Sequence, residues 1–274
     1  MGVKTPVPNS NEQQRIADFL DQKTAEIDEA ISKKQRLIEL LEERKAILIN
    51  QAVTRGLNPD VPMKYSGVEW IGQIPTHWGV YMAKFIFRQL DYGLSESAKS
   101  EGEYRYLNMG HIINGRVILD DSSFIDSVSE YFLLEKFDLI YNRTNSFNLV
   151  GKSGIFLGNK ENKVTFASYL VRFRVNENID PEWTNFLLSD IQFLAYIRSL
   201  ALRSLHQANL NPNRFRAVHI PVPPKEEQFQ ISQELNVISE EYERHIDHVR
   251  TTIKTYEEMK KVLISEAVTG KIKI

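Results

Sequence analysis

The chain has 274 residues, 42% of them hydrophobic and 26% charged, with a formal net charge of -2 and no cysteine. These figures exclude a disulfide framework, a thiolate metal site and a uniformly basic nucleic-acid coat, and they fit two modest domains or one domain with a long accessory element. The opening MGVKTPVPNSNEQQ has no apolar signal core and no long apolar run follows, so a reducing cytoplasmic setting and no membrane span are expected.

The first predicted element is one long helix. Asn9 and Ser10 are good N-cap residues, Gln13 stands three after Ser10 as in a capping box, and Gly56 supplies a left-handed residue at the far end. From Glu12 to Ala52 is 41 residues, about 60 Å of helix at the usual rise. Along it Leu20, Thr24, Ile27, Ile31, Lys34, Ile38, Leu41, Lys45, Leu48 and Ala52 step by 4 and 3 in alternation. A stripe of that period is a coiled-coil seam, and its lysines would help to set register and partner.

Residues 59–220 lack a sustained helical period over most of their length. The short segments RYLNMGHI, RVILDD, DLIYNR, SGIFLG and SYLVRFRV, separated by turn signals, read as strands. PEWTNFLLSDIQFLAYIRSLAL reads as a helix after Pro181. The expected fold class is therefore α+β, a strand-rich mixed domain. Tyr65, Trp70, Pro75 and Trp78 are expected in its packing, and the acid pair Asp120 and Asp121 reads as a turn.

A second long helix is predicted from Pro224, with Glu226 and Glu227 at its positive end and Gly270 at its close. Its seam runs Leu235, Ser239, Tyr242, Ile246, Val249, Ile253, Tyr256, Lys260, Leu263 and Ala267. Shifted by 215 positions, residues 6–54 align without a gap on 221–269, and 18 of the 49 pairs are identical. The signature Pro-Val-Pro, Glu-Gln, Ile thus occurs at Pro6 to Ile16 and again at Pro221 to Ile231. A chain that leaves one helix at its end and enters the other at its start most simply lays the two antiparallel, as a stalk for the domain between them. Helices of a second copy would satisfy the same seams, making a homodimer.

Charge is uneven within the middle region: 60–138 hold 7 basic and 12 acidic side chains, and 139–220 hold 10 basic and 5 acidic. Leu139–Lys160 and Ile191–Lys225 contain no acid at all. Arg, Asn, Gln and Ser in such windows are the side chains that contact phosphates and read base edges. Candidate DNA contacts are Asn142, Arg143, Asn145, Ser146 and Lys152 from the first window, and Arg203, His206, Gln207, Asn209 and Arg214 from the second. No phosphate loop, dinucleotide fingerprint or zinc-protease motif occurs, so the chain reads as a binder without catalytic or metal-ligating residues. A coiled-coil adaptor that binds no nucleic acid is the competing reading.

Taken together, PVPNSNEQQRI and IPVPPKEEQFQI, the helix ends QAVTRGL and EAVTGKI, the domain opening EWIGQIPTHW, and the segments DLIYNRTNSFNLVGKSGIF and SLHQANLNPNRFRAVHIPVPP resemble the DNA specificity subunits of type I restriction-modification systems. The resemblance covers essentially the whole chain. It implies a target-recognition domain at 59–220 between conserved spacer helices at 1–58 and 221–274. It also implies a non-catalytic reader of double-stranded DNA. S-adenosylmethionine would be carried by methyltransferase partners, and ATP and Mg by a restriction and translocase partner. Such subunits commonly carry two recognition domains; this one resembles a half-subunit form, and two copies about a two-fold axis would read an interrupted palindrome.

Overall fold

The computed structural model describes residues 8–203, 207–272 and 274. The chain opens with α1 (Ser10–Arg55). Strands β1 (Met63–Tyr65), β2 (Gln73–Pro75), β3 (Gly79–Met82), β4 (Phe87–Tyr92), β5 (Tyr104–Leu107), β6 (Ile112–Ile113), β7 (Arg116–Val117) and β8 (Phe124–Ile125) follow. Next come β9 (Leu139–Asn142), β10 (Thr144–Asn145), β11 (Ser153–Ile155), β12 (Val164–Phe166) and β13 (Leu170–Val175). The remaining elements are α2 (Pro181–Ser189), α3 (Ile191–Ser199), β14 (Leu202–Arg203), β15 (Ala208–Asn209), α4 (Pro212–Arg216), β16 (His219–Val222) and α5 (Lys225–Val268). The mixed α+β class expected from the sequence is what the chain adopts.

Two compact units divide the chain, one formed by residues 1–45 and 238–274, the other by 46–237. The first is a pair of helical segments. Lys45 Nζ meets Glu243 Oε1 at 2.9 Å and Lys260 Nζ meets Asp28 Oδ2 at 2.6 Å. Moving 17 residues back along α1, from Lys45 to Asp28, moves 17 forward along α5, from Glu243 to Lys260, so the segments run antiparallel within one chain. In that register the seam positions Leu20 to Lys45 lie opposite Ala267 to Tyr242. Every position of both predicted stripes, Leu48 included, is at least half-buried, while the opposite faces of the helices are exposed.

The second unit is built on a six-stranded sheet of order β4-β13-β9-β11-β7-β6, antiparallel except for β11 against β7. A three-stranded sheet, β12-β5-β8, lies beside a core of Leu107, Ile112, Leu134, Ile140, Phe156, Val164, Phe166 and Leu170. A run of rings forms another part of the core, with Phe173 against Phe87 at 4.9 Å, Tyr141 at 5.3 Å and Phe215 at 4.8 Å. Arg172 and Arg174, counted with the basic half of the sequence, are spent inside: Arg172 binds Asp91 at 2.7 Å, and Arg174 grips Asp138 through two bonds of 2.6 and 3.0 Å.

Several local expectations are corrected. The helix after Pro181 is two helices, because Asp190 turns extended and its carboxylate caps the amides of Gln192 and Phe193 at 3.0 and 2.9 Å. The N-cap of α1 is Asn9, which accepts from the Glu12 amide at 3.0 Å, rather than Ser10. Gln13 reaches back to donate to the Pro8 carbonyl at 2.8 Å, and its repeat partner Gln228 makes the same 2.8 Å bond to Pro223. Tyr65 is exposed on β1 instead of packed, whereas Pro75 and Trp78 are buried and Trp70 stacks on Tyr196. The acid pair is indeed a turn: Asp120 accepts from the Ser122 amide at 3.0 Å, and Asp121 pairs with Arg105 at 2.9 Å.

Candidate nucleic-acid interface

The two acid-free windows meet. At Asn142 the chain leaves the buried strand β9 and passes through Arg143 into β10, which pairs antiparallel with β15, itself paired with β14. The resulting sheet, of order β10-β15-β14, joins one strand from Leu139–Lys160 to two from Ile191–Lys225. The Leu210 amide donates to the Arg143 carbonyl at 2.8 Å, and Asn209 Nδ2 donates to the Thr144 hydroxyl at 2.8 Å, tying the windows together.

Around this sheet three guanidinium groups are each held by one backbone carbonyl. Arg143 Nε donates to the Ser168 carbonyl at 3.0 Å, Arg198 Nε to Val150 at 3.1 Å and Arg214 Nη1 to Leu200 at 3.0 Å. None has a carboxylate partner among the described residues. Partial burial without an acid beside it pushes the Arg198 guanidinium below its ordinary value. Cations oriented this way, with donors left over and no counter-charge, suit a ligand rich in anionic or carbonyl acceptors.

The other candidate side chains fall into distinct places. Asn145 accepts from the Ser146 amide at 2.7 Å, and Ser146 lies exposed at the head of a turn that closes on Leu149 and Val150. Lys152 is half-buried just before β11, Gln207 is exposed just before β15, and Arg203 sits in β14 opposite Ala208. His206 lies outside the described residues.

Asn142 is a correction. It is 1% exposed because β9 is an interior strand of the six-stranded sheet, so its side chain is withheld from any ligand. Two groups lie outside the contacts chosen from the sequence. Tyr92, at the end of β4, lies under the Arg143 guanidinium at 4.8 Å from its ring centre, and Arg198 stands beside the turn after β10. Arg198 could have been found from its acid-free window. Tyr92 carries no such signal, because strand pairing alone brings it near a residue some fifty positions away.

Solved structures share this fold. A chain from a structure addressing complex assembly and conformational transition of the type I R-M system superposes with a TM-score of 0.74 at 13% identity, covering 98% of this chain and 62% of that one. The HsdS subunit of Thermoanaerobacter tengcongensis gives 0.54 at 14% identity, covering 98% and 61%. Residues 92–249, more than half of the chain, match the family model of the type I restriction modification DNA specificity domain, and the chain belongs to that family. Among curated relatives, the putative MjaX specificity subunit of Methanocaldococcus jannaschii is 24% identical over 205 residues, 73% of this chain and 47% of that protein. The EcoKI specificity subunit of Escherichia coli K12 is 22% identical over 236 residues, 84% of this chain and 49% of that protein. The chain thus spans about half the length of these two relatives.

No described helix is long and apolar enough to cross a membrane, and no described cluster of His, Asp and Glu could hold a metal ion.

Proposed function

We propose that this chain reads double-stranded DNA as a non-catalytic specificity subunit and recognises one half of a bipartite target. The reading is carried by the convergence of two acid-free windows on the β10-β15-β14 sheet, with Arg143, Arg198 and Arg214 around it. Lys152, Gln207 and Asn209 are assigned to the same interface, and Arg203 and His206 join them from their sequence positions alone. Arginine and lysine there would bind phosphates, and arginine, asparagine and glutamine can also read base edges.

The paired helices are proposed to scaffold methyltransferase subunits, which would bring S-adenosylmethionine, and a restriction and translocase subunit, which would use ATP and Mg. Division of labour of this kind accounts for a net charge of only -2, because partners would supply part of the basic surface. The cytoplasm is the expected setting.

The test is to isolate the tagged chain from its host, identify the subunits that accompany it, and map methylated sites with and without its gene. Loss of methylation at one bipartite motif is expected. Recovery without any methyltransferase, and an unchanged methylation map, would leave the adaptor reading in its place.

A further inference from the structure

We infer that Arg143 reads a guanine and that Tyr92 is the residue that positions it for that purpose; this rests on the DNA-reading function proposed above. The Arg143 guanidinium is fixed on two sides. Its Nε is committed to the Ser168 carbonyl at 3.0 Å, and its central carbon stands over the Tyr92 ring, 4.8 Å from the ring centre. What is left is the pair of Nη groups, which can only donate. Guanine alone presents two adjacent acceptors, N7 and O6, on its major-groove edge, whereas adenine pairs an acceptor with a donor.

The backbone makes this arrangement specific. Gly93 follows Tyr92 so close to the turn after β12 that a Cβ there would lie 2.3 Å from the carbonyl oxygens of both Phe166 and Ala167. The Leu94 amide donates to Phe166 at 2.9 Å, and the Ser168 amide donates to Leu94 at 2.8 Å. One close approach therefore sets both the ring and the carbonyl that hold Arg143. Tyr92 keeps 46% of its surface exposed and Arg143 is half-buried, so the pair is reached by solvent. The other described cation–π contacts of an arginine are both made by Arg172, on Tyr131 and Phe166, and Arg172 is fully buried and bound to Asp91.

The experiment is a selection from random duplexes by the full chain, isolated with its accompanying subunits, for the native protein and for Arg143→Lys, Tyr92→Ala and Tyr92→Phe. The native protein is expected to select a motif with an invariant guanine. Arg143→Lys, which keeps the charge without the fork, should lose that one preference by roughly ten- to a hundredfold and keep the others. Tyr92→Ala should weaken the same position, Tyr92→Phe should recover most of it, and 7-deazaguanine there should lower binding by the native protein. If Arg143→Lys or Tyr92→Ala weakens all sequences alike, or leaves the guanine preference intact, the assignment is overturned while DNA reading stands. If the native protein selects no motif, the proposed function fails and takes this inference with it.

Discussion

The indole Nε1 of Trp78 donates to the carboxylate of Glu227 at 3.0 Å. His77 Nε2 stands 2.7 Å from the same oxygen, and Gly56, left-handed at φ 77°, leaves room where a Cβ would come within 3.0 Å of the other oxygen. Three separate motifs, QAVTRG, PTHW and PVPPKEEQ, are therefore parts of one contact. Gln228 extends it, accepting from the Asp180 amide at 2.8 Å.

Replacing Glu227 with Ala should cost about 1–3 kcal/mol, because the Trp78 indole is 1% exposed and would lose its partner. The same change at Glu12, its counterpart in the first repeat, should cost under about 0.5 kcal/mol, since that side chain is exposed. Urea unfolding of the two variants compares them directly, and equal losses would contradict the assignment of Glu227.

The helix pair should depend on its apolar seam more than on its ion pairs. Ile246→Ala empties a 6% exposed seam position and should cost about 2 kcal/mol or more, whereas Asp28→Ala, which removes the exposed partner of Lys260, should cost under about 1 kcal/mol. Loss of helical circular dichroism on heating measures both. A larger loss for Asp28→Ala would reverse the order of the two contributions.

Asp120 is held at about 2, below its ordinary 3.8, first by the Ser122 hydroxyl, then by the Ser122 amide and by His111. The Asn108 amide donates to His111 Nδ1 at 3.0 Å, which leaves the ring proton on Nε2, facing Asp120 at 3.1 Å. A lowered carboxyl value stabilises the fold above 3.8, and that contribution is lost as pH falls through about 2. Carbon NMR of the Asp120 carboxyl should show the low midpoint, and Ser122→Ala should move it back toward 3.8. An ordinary midpoint in the native protein would show that these bonds do not hold in solution.

The seams were legible because ten positions on each helix repeat one period, and a local period survives whatever the helix packs against. Burial in the strands was not. All four residues of β9 are buried, since an interior strand covered on both faces has no polar side to betray its phase, and Asn142 was misjudged for that reason. The charge asymmetry between the halves of the domain was partly an internal pairing: Asp91 and Asp138 from the acidic half neutralise Arg172 and Arg174 from the basic half. Counting charges along the chain cannot separate such pairs from a binding face, whereas Arg143, Arg198 and Arg214 stand out once the carboxylates are located.

Breaking the buried pair gives the last prediction. Arg172 is fully buried, with Nη2 at 2.7 Å and Nε at 3.3 Å from Asp91 Oδ2, and Nη1 donating to the carbonyls of Tyr131 and Leu133 at 2.9 and 3.1 Å. Asp91→Ala would strand that charge between the rings of Tyr131 and Phe166 and should cost about 3–5 kcal/mol. Arg172→Met together with Asp91→Ala removes both charges and should recover a substantial part of the loss, because the penalty comes from the unpaired cation more than from the missing bond. Urea midpoints of the single and double variants decide it: a double variant no more stable than Asp91→Ala would mean that Arg172 is needed for its bonds to the two carbonyls, and that its unpaired charge is the lesser cost.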